Sequence, residues 1–146
     1  MGLTTLLRRL RRDPAGSVAV EFAMLGSMFI AMLLAVFQIG IALQAYNAIR
    51  SASADVARYA AVQYQTDNRL TNTQLRNFAM ARATSNTYLL SANNLNVRVQ
   101  DEADQRIVGA RQIRLTLDYQ VPTVLETFGL HSPMLSYTRP IFVVTS

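Results

Sequence analysis

From Phe22 to Ala45 the chain reads FAMLGSMFIAMLLAVFQIGIALQA, 24 residues with no charge and only Ser27, Gln38 and Gln44 as polar side chains. As a helix this stretch is about 36 Å long, enough to cross a hydrocarbon core of about 30 Å with some tilt. A helix that is apolar all round must be covered on every side, and a chain of 146 residues supplies too little surrounding protein to bury it. The stretch therefore predicts one transmembrane helix. A cleavable secretory signal fits less well, because its apolar region spans only about 7 to 15 residues and ends in a small-residue cleavage site. Arginines are paired at Arg8-Arg9 and Arg11-Arg12, but no other part of a twin-arginine export signal accompanies them.

Charge assigns the topology. The net charge is +5, and residues 1–16 hold four arginines against Asp13, leaving the rest of the chain close to balance. A basic arm beside an apolar stretch is a positive-inside signal, which puts the N-terminus in the cytoplasm and residues after about 46 outside. Nucleic-acid binding would want basic and aromatic residues interleaved on one folded surface, so none is expected. The absence of cysteine excludes disulfides, thiol catalysis, Cys-ligated zinc and iron-sulfur clusters. His131 is the only histidine, so a His-rich metal site is out and any triad would have to use this one ring.

Glu21 interrupts the apolar pattern between Val20 and Phe22. A carboxylate there is expensive unless it lies at the interface or is paired. One reading makes it a boundary acid among the headgroups. The other starts from RRDPAGSVAVEF, with a basic arm, Pro14, Gly16, a short apolar stretch and then the acid. That order resembles a prepilin-type processing site, in which a membrane aspartic peptidase cuts after glycine and glutamate becomes the fifth residue of the product. The resemblance implies cleavage between Gly16 and Ser17. Glycine leaves the bond unobstructed, and Pro14 is expected to disfavour helix just before it and leave an accessible, strand-like bond.

The run GSVAVEFAMLGSMFIAMLLAVFQIGIALQAYNAIRSASADVARYAAV resembles the N-terminal signature of TadE-like proteins, the pseudopilins of the tight-adherence (Flp) pilus system. It covers roughly residues 15 to 62 and ends in Ala57, Arg58, Tyr59 and Ala60. A weaker likeness recurs at Ile113 to Pro122, with Tyr119 and Pro122 in a Tyr-x-x-Pro-like turn, while residues 65 to 110 carry no family signal. The resemblance implies a processing site of Gly16, Ser17, Glu21 and Phe22, with the Glu21 carboxylate paired to the new N-terminal amine of a neighbour. It also implies a prepilin peptidase, TadF-like pseudopilins, a pilus assembly platform and inner-membrane lipid as partners, with no cofactor and no metal.

Beyond the membrane, Ala45, Ile49, Ala52, Val56 and Tyr59 recur at steps of four and three, so the helix is expected to continue to about Tyr64. Packing on the chain's own domain accounts for most of this stripe, and part of it, at Ala52, Val56 and Tyr59, is assigned to assembly. Thr71 and Gln74 have capping-box spacing for a second helix to about Leu90, with Leu75, Phe78 and Ala79 inward. Alternation at Leu95, Val97 and Val99, and again from Ile113 to Val121, predicts two half-buried strands. Pro122 ends the second, Val124 to Leu130 fits a helical turn, and Met134 to Thr145 reads as an edge or bulged strand because of Pro140.

The expected fold class is α+β and pilin-like, divided as a basic leader (1–16), a long helix (17–64, membrane part about 22–45) and an exterior domain (65–146). Asp101, Glu102 and Asp104 suit either an oxygen-ligated calcium site or a solvated hairpin loop, with the loop favoured. The function expected from the resemblance is that of a minor pseudopilin, cut after Gly16, acting in initiation or assembly of an adhesive Flp-type pilus. The exterior domain is too bulky to repeat along a thin filament, which favours minor over major. The alternative is an uncleaved, single-pass anchored binding module or scaffold. A tethered hydrolase would need a nucleophile-base pair, and no second element beside His131 suggests one, so no enzyme activity is expected.

Overall fold

A computed structural model describes residues 14–66, 68–102, 110–124, 129 and 131–144. Helix α1 spans Pro14–Gln65, α2 spans Asn72–Ala83, and a 3₁₀ turn at Ala92–Asn94 leads into strand β1, Leu95–Asp101. Strands β2 (Ala110–Gln120) and β3 (Met134–Val144) complete an antiparallel sheet in the order β1-β2-β3. The fold is thus α+β and pilin-like. The chain forms two compact units, Met1–Gln38 and Ile39–Ser146, with the division inside α1.

In the first unit the described part is helix throughout. Phe22, Met24, Leu25, Met28, Phe29, Ile30, Met32, Leu33, Val36 and Phe37 are all more than half exposed, so apolar side chains point outward on every face. This helix is long and apolar enough to cross a membrane, and none of its apolar window is buried.

The second unit, the head, begins where small residues appear. Ala45, Ala48, Ile49, Ala52, Val56 and Ala60 are buried along α1 and meet Ile113, Leu115, Leu117, Ile141 and Val143 of the sheet in one core. Alanine at four of these six positions lets the helix backbone lie close to the sheet. Register fixes the sheet's apolar face, with Val97 opposite Leu117 and Leu117 opposite Tyr137. Because side chains alternate, the next residues face the other way, where Arg98 reaches Asp118 at 2.6 Å and Thr116 and Thr138 share a hydroxyl hydrogen bond of 3.1 Å. Both faces of β2 therefore carry buried residues, more than the half-buried strand expected from its alternation.

Helix α2 lies along β1. Its Arg76 Nε donates to the Val97 carbonyl at 3.1 Å and its Asn72 Nδ2 to Asp101 at 2.9 Å. The side chains thus occupy the strand edge that the sheet leaves unpaired, and at the other edge β3 carries Pro140 opposite Arg114. The capping box forms as spaced: Gln74 N–H donates to Thr71 Oγ1 at 3.2 Å and Thr71 N–H to Gln74 Oε1 at 2.9 Å. Leu75 and Ala79 are buried, and Phe78 is half-buried and stacked on Tyr59.

The helix stops at Ala83, seven residues short of the expected Leu90. Thr84-Ser85-Asn86-Thr87 is a run of poor helix formers whose hydroxyls compete for the last carbonyls. Thr84 Oγ1 donates to Met80 O at 2.9 Å and Ser85 Oγ to Arg82 O at 2.7 Å. The turn that follows places Leu89 at φ 55°, in the left-handed region, before Leu90 N–H returns to Ala83 O at 3.3 Å. Residues 125–128 and 130 of the expected turn, and the third acid of the loop cluster, Asp104, lie outside the described residues.

Candidate functional site

The residues of the expected processing site sit in the first two turns of α1. Gly16 is half-buried, Ser17 and Glu21 are exposed, and Phe22 is 78% exposed. Four residues apart, Ser17 and Glu21 share a helix face, and Ser17 Oγ donates to Glu21 Oε1 at 3.4 Å. The Glu21 side chain is exposed.

The strand-like bond expected around Pro14 is not what the structure contains. Pro14 opens the helix, and the Gly16–Ser17 bond lies inside its first turn. The proline ring fixes φ near the helical value and lacks an N–H that would be unsatisfied in any first turn, so proline starts helices as readily as it interrupts them. To enter a peptidase cleft the bond must unwind about one turn, at the end where α-helices fray most easily.

Of the stripe assigned to assembly, Ala52 and Val56 have no exposed surface. They pack on the head's own sheet, and nothing of them is left for another chain. Tyr59 is half-buried, its ring stacked on Phe78 with centroids 3.8 Å apart and planes 13° apart.

Arginine holds the head together in ways the sequence did not disclose. Arg111, from the start of β2, donates through Nε to Asp101 at 2.7 Å, through one terminal nitrogen to the Tyr64 hydroxyl and to Leu70 O, and through the other to Asn72 Oδ1 at 2.9 Å. One side chain thereby joins the end of α1, the α1–α2 linker, the start of α2 and the β1–β2 hairpin. The Arg111 guanidinium, with help from Asn72, holds the Asp101 carboxyl below its ordinary range despite partial burial. Glu102 forms a forked pair with Arg114, so the two described acids of the loop cluster are both held by arginines of β2.

A second knot joins α1 to α2. Asp55 accepts from Arg82 Nε at 2.8 Å and from the Tyr88 hydroxyl at 2.9 Å. The Arg82 bond first, then that of Tyr88, lowers the Asp55 pKa, while burial and the carboxylate raise that of Tyr88. On the outer face Asp118 is bracketed by Arg98 and by Ser136 Oγ at 2.6 Å, while on the face toward α1 Arg139 Nε reaches the buried Ser53 at 3.0 Å. His131 lies exposed in the segment before β3.

An exposed apolar helix bearing one carboxylate near its start, followed by a small α+β head, is a pilin-like arrangement compatible with a membrane anchor. Residues 16–58 match the family described as TadE-like protein. That segment, under a third of the chain, holds the candidate processing residues and the apolar run, and over it the chain is similar to TadE-like proteins. Neither the curated proteins nor the solved structures contain a match.

Proposed function

We propose that the protein is a minor pseudopilin, inserted as a single-pass precursor in the cytoplasmic membrane, cut by a prepilin-type peptidase between Gly16 and Ser17, and used to initiate or assemble an Flp-type pilus. The observation that carries this reading is the Ser17–Glu21 pair at the head of the uncharged apolar stretch Phe22–Ala45. Cleavage would turn the Ser17 nitrogen into an ammonium one helical turn from the carboxylate. In the membrane such a charge pair is far less costly than the acid alone, and a neighbour's ammonium could satisfy it equally well and set the stagger between subunits.

The head supports a role at a tip or in a priming complex over one along the shaft. Its core is closed within one chain, with α1, α2 and all three strands contributing, so it needs no neighbour to fold. The proposed partners are the peptidase, TadF-like pseudopilins and the assembly platform, engaged through the exposed apolar faces of α1 rather than through Ala52 and Val56. Surface adhesion and biofilm formation would follow from the pilus, and no catalytic role is assigned to the head.

The deciding experiment is the N-terminal sequence and intact mass of the protein from membranes of its own host, with and without the peptidase. The expected result is a peptidase-dependent start at Ser17. A start at Met1 or Gly2 in both strains would overturn processing and leave an uncleaved anchored module.

A further inference from the structure

Leu89 has two properties that its own domain does not explain. Its side chain is 70% exposed, and its backbone is held at φ 55°, a region where glycine or asparagine is at home and leucine is not. An apolar group kept in water, in a conformation that opposes it, is an outlier from which a role can be argued.

Its position supplies the role. Leu89 and Leu90, with Tyr119 and Pro122, face Ile41, Gln44 and Ala45 of α1 across an open groove of about 200 Å³, and no charged side chain lines it. Counted from Phe22, the first residue after Glu21, about 20 helical residues cross a hydrocarbon core, which brings its outer boundary to about Ile41. Gln44 and Tyr46 then fall at headgroup level, and with them the turn that carries Leu89.

The same end also carries Met134, which borders a polar groove lined by Asn94, Asn96, Arg98, Asp118 and Gln120. Val121 N–H bonds Pro133 O beside it, and the next residue, Met134, is 70% exposed. Tyr46 is 38% exposed, and a tyrosine at this depth places its ring among acyl chains and its hydroxyl among headgroups. The opposite end of the head carries Asn68, Thr71, Asn72, Asp101 and Arg111 around the exposed Val62 and Val144.

We propose that the end of the head bearing Leu89 and Met134 docks on the lipid surface of the bilayer crossed by α1, with Leu89 inserted at the headgroup–acyl boundary. This rests on the reading of α1 as a membrane anchor. Docking gives the exposed leucine an apolar environment. A lipid surface is favoured over a protein partner because the groove's other wall, Ile41, Gln44 and Ala45, lies at the end of the apolar run along α1.

The chain has no tryptophan, so single-tryptophan variants report without background. Full-length Leu89→Trp, Met134→Trp, Phe29→Trp and Val62→Trp are reconstituted in phosphatidylcholine–phosphatidylglycerol vesicles containing lipid brominated either near the glycerol end or in mid-chain. Leu89→Trp is expected to emit at shorter wavelength than the exposed Val62→Trp and to lose at least half its emission to the glycerol-end bromines, with Met134→Trp following it. Phe29→Trp is expected to be quenched by the mid-chain bromines. Quenching of Phe29→Trp with Leu89→Trp and Met134→Trp both behaving as Val62→Trp would overturn docking and leave the anchor intact. An unquenched Phe29→Trp would overturn the anchor and the docking with it. A blue-shifted Leu89→Trp that ignores both bromolipids would put protein against Leu89 and overturn the lipid assignment.

Discussion

Arg111 Nε and Asp101 Oδ1 lie 2.7 Å apart, and the same guanidinium reaches Tyr64, Leu70 and Asn72. The ion pair alone is worth little, because Asp101 is half exposed. The larger effect comes from the buried Tyr64 hydroxyl and the Leu70 carbonyl, which lose a charged donor when the arginine is removed. Arg111→Met should therefore destabilise the head by about 2 kcal/mol, while Tyr64→Phe costs about 1 kcal/mol. Urea titration of the full chain in micelles, followed by near-ultraviolet circular dichroism, measures both. Arg111→Lys, a point charge without the fork, should recover less than half of the loss.

Asp55 sets an acid limit on the head. Its pKa is lowered from the model-peptide value of 3.8, chiefly by the hydrogen bond from Arg82. A carboxylate depressed in the folded state contributes stability above its unfolded value, and that contribution is lost as pH falls through the folded one. Thermal unfolding is therefore expected to be flat near neutral pH and to weaken below about pH 4, the range set by the carboxylate's unfolded pKa. In Asp55→Asn the midpoint should be lower at neutral pH, and its gap to the parent chain should narrow on acidification. A constant gap from neutral to acid pH would remove Asp55 from the linkage.

Leu117 has no exposed surface, lies in the central strand and is opposite Val97 on one side and Tyr137 on the other. Leu117→Ala removes buried methyl groups at a site where three strands and α1 limit collapse, so a loss of about 3 kcal/mol is expected. Thr138→Ala, at an exposed position on β3, should stay within about 0.5 kcal/mol of the parent. The same urea titration compares them.

Periodicity and capping chemistry made most of the scaffold legible. The apolar run, the stripe from Ala45, the Thr71–Gln74 box and the alternation at Leu95 and Ile113 are local signals, and each gave an element. The end of α2 was missed because Tyr88, Leu89 and Leu90 extend the apolar content past a polar run whose hydroxyls cap the helix. The arginine knots were illegible for another reason. Arg111 and Tyr64 are separated by 47 positions, and their meeting depends on strand register and on α1 packing, which no local pattern encodes. Gly16, Ser17 and Glu21 were singled out by the resemblance to a prepilin-type processing site, and Pro14 was misjudged because its two helical roles look alike in sequence.

Leu89→Asn tests the left-handed turn from the side of stability. Asparagine tolerates φ 55° better than leucine, so the head should gain up to about 1 kcal/mol in micelles. A loss of stability would mean that Leu89 packs in the head more than its exposure indicates.

Gly16 and Glu21 separate processing from assembly. Gly16→Leu puts a branched side chain beside the scissile bond and lies well outside the head core, so the full-length chain should accumulate with its head folded. A mature-length product from that variant would place the cut elsewhere. Glu21→Ala removes the only described charge on the membrane-facing part of α1, so insertion should persist or improve. Cleavage at Ser17 should then leave an ammonium with no carboxylate one turn away, and pilus yield should fall while protein level holds. Glu21→Gln keeps the side chain's length without its charge, and it should fail in the same way if the ion pair carries assembly. Normal piliation in Glu21→Gln would assign the position to hydrogen bonding alone.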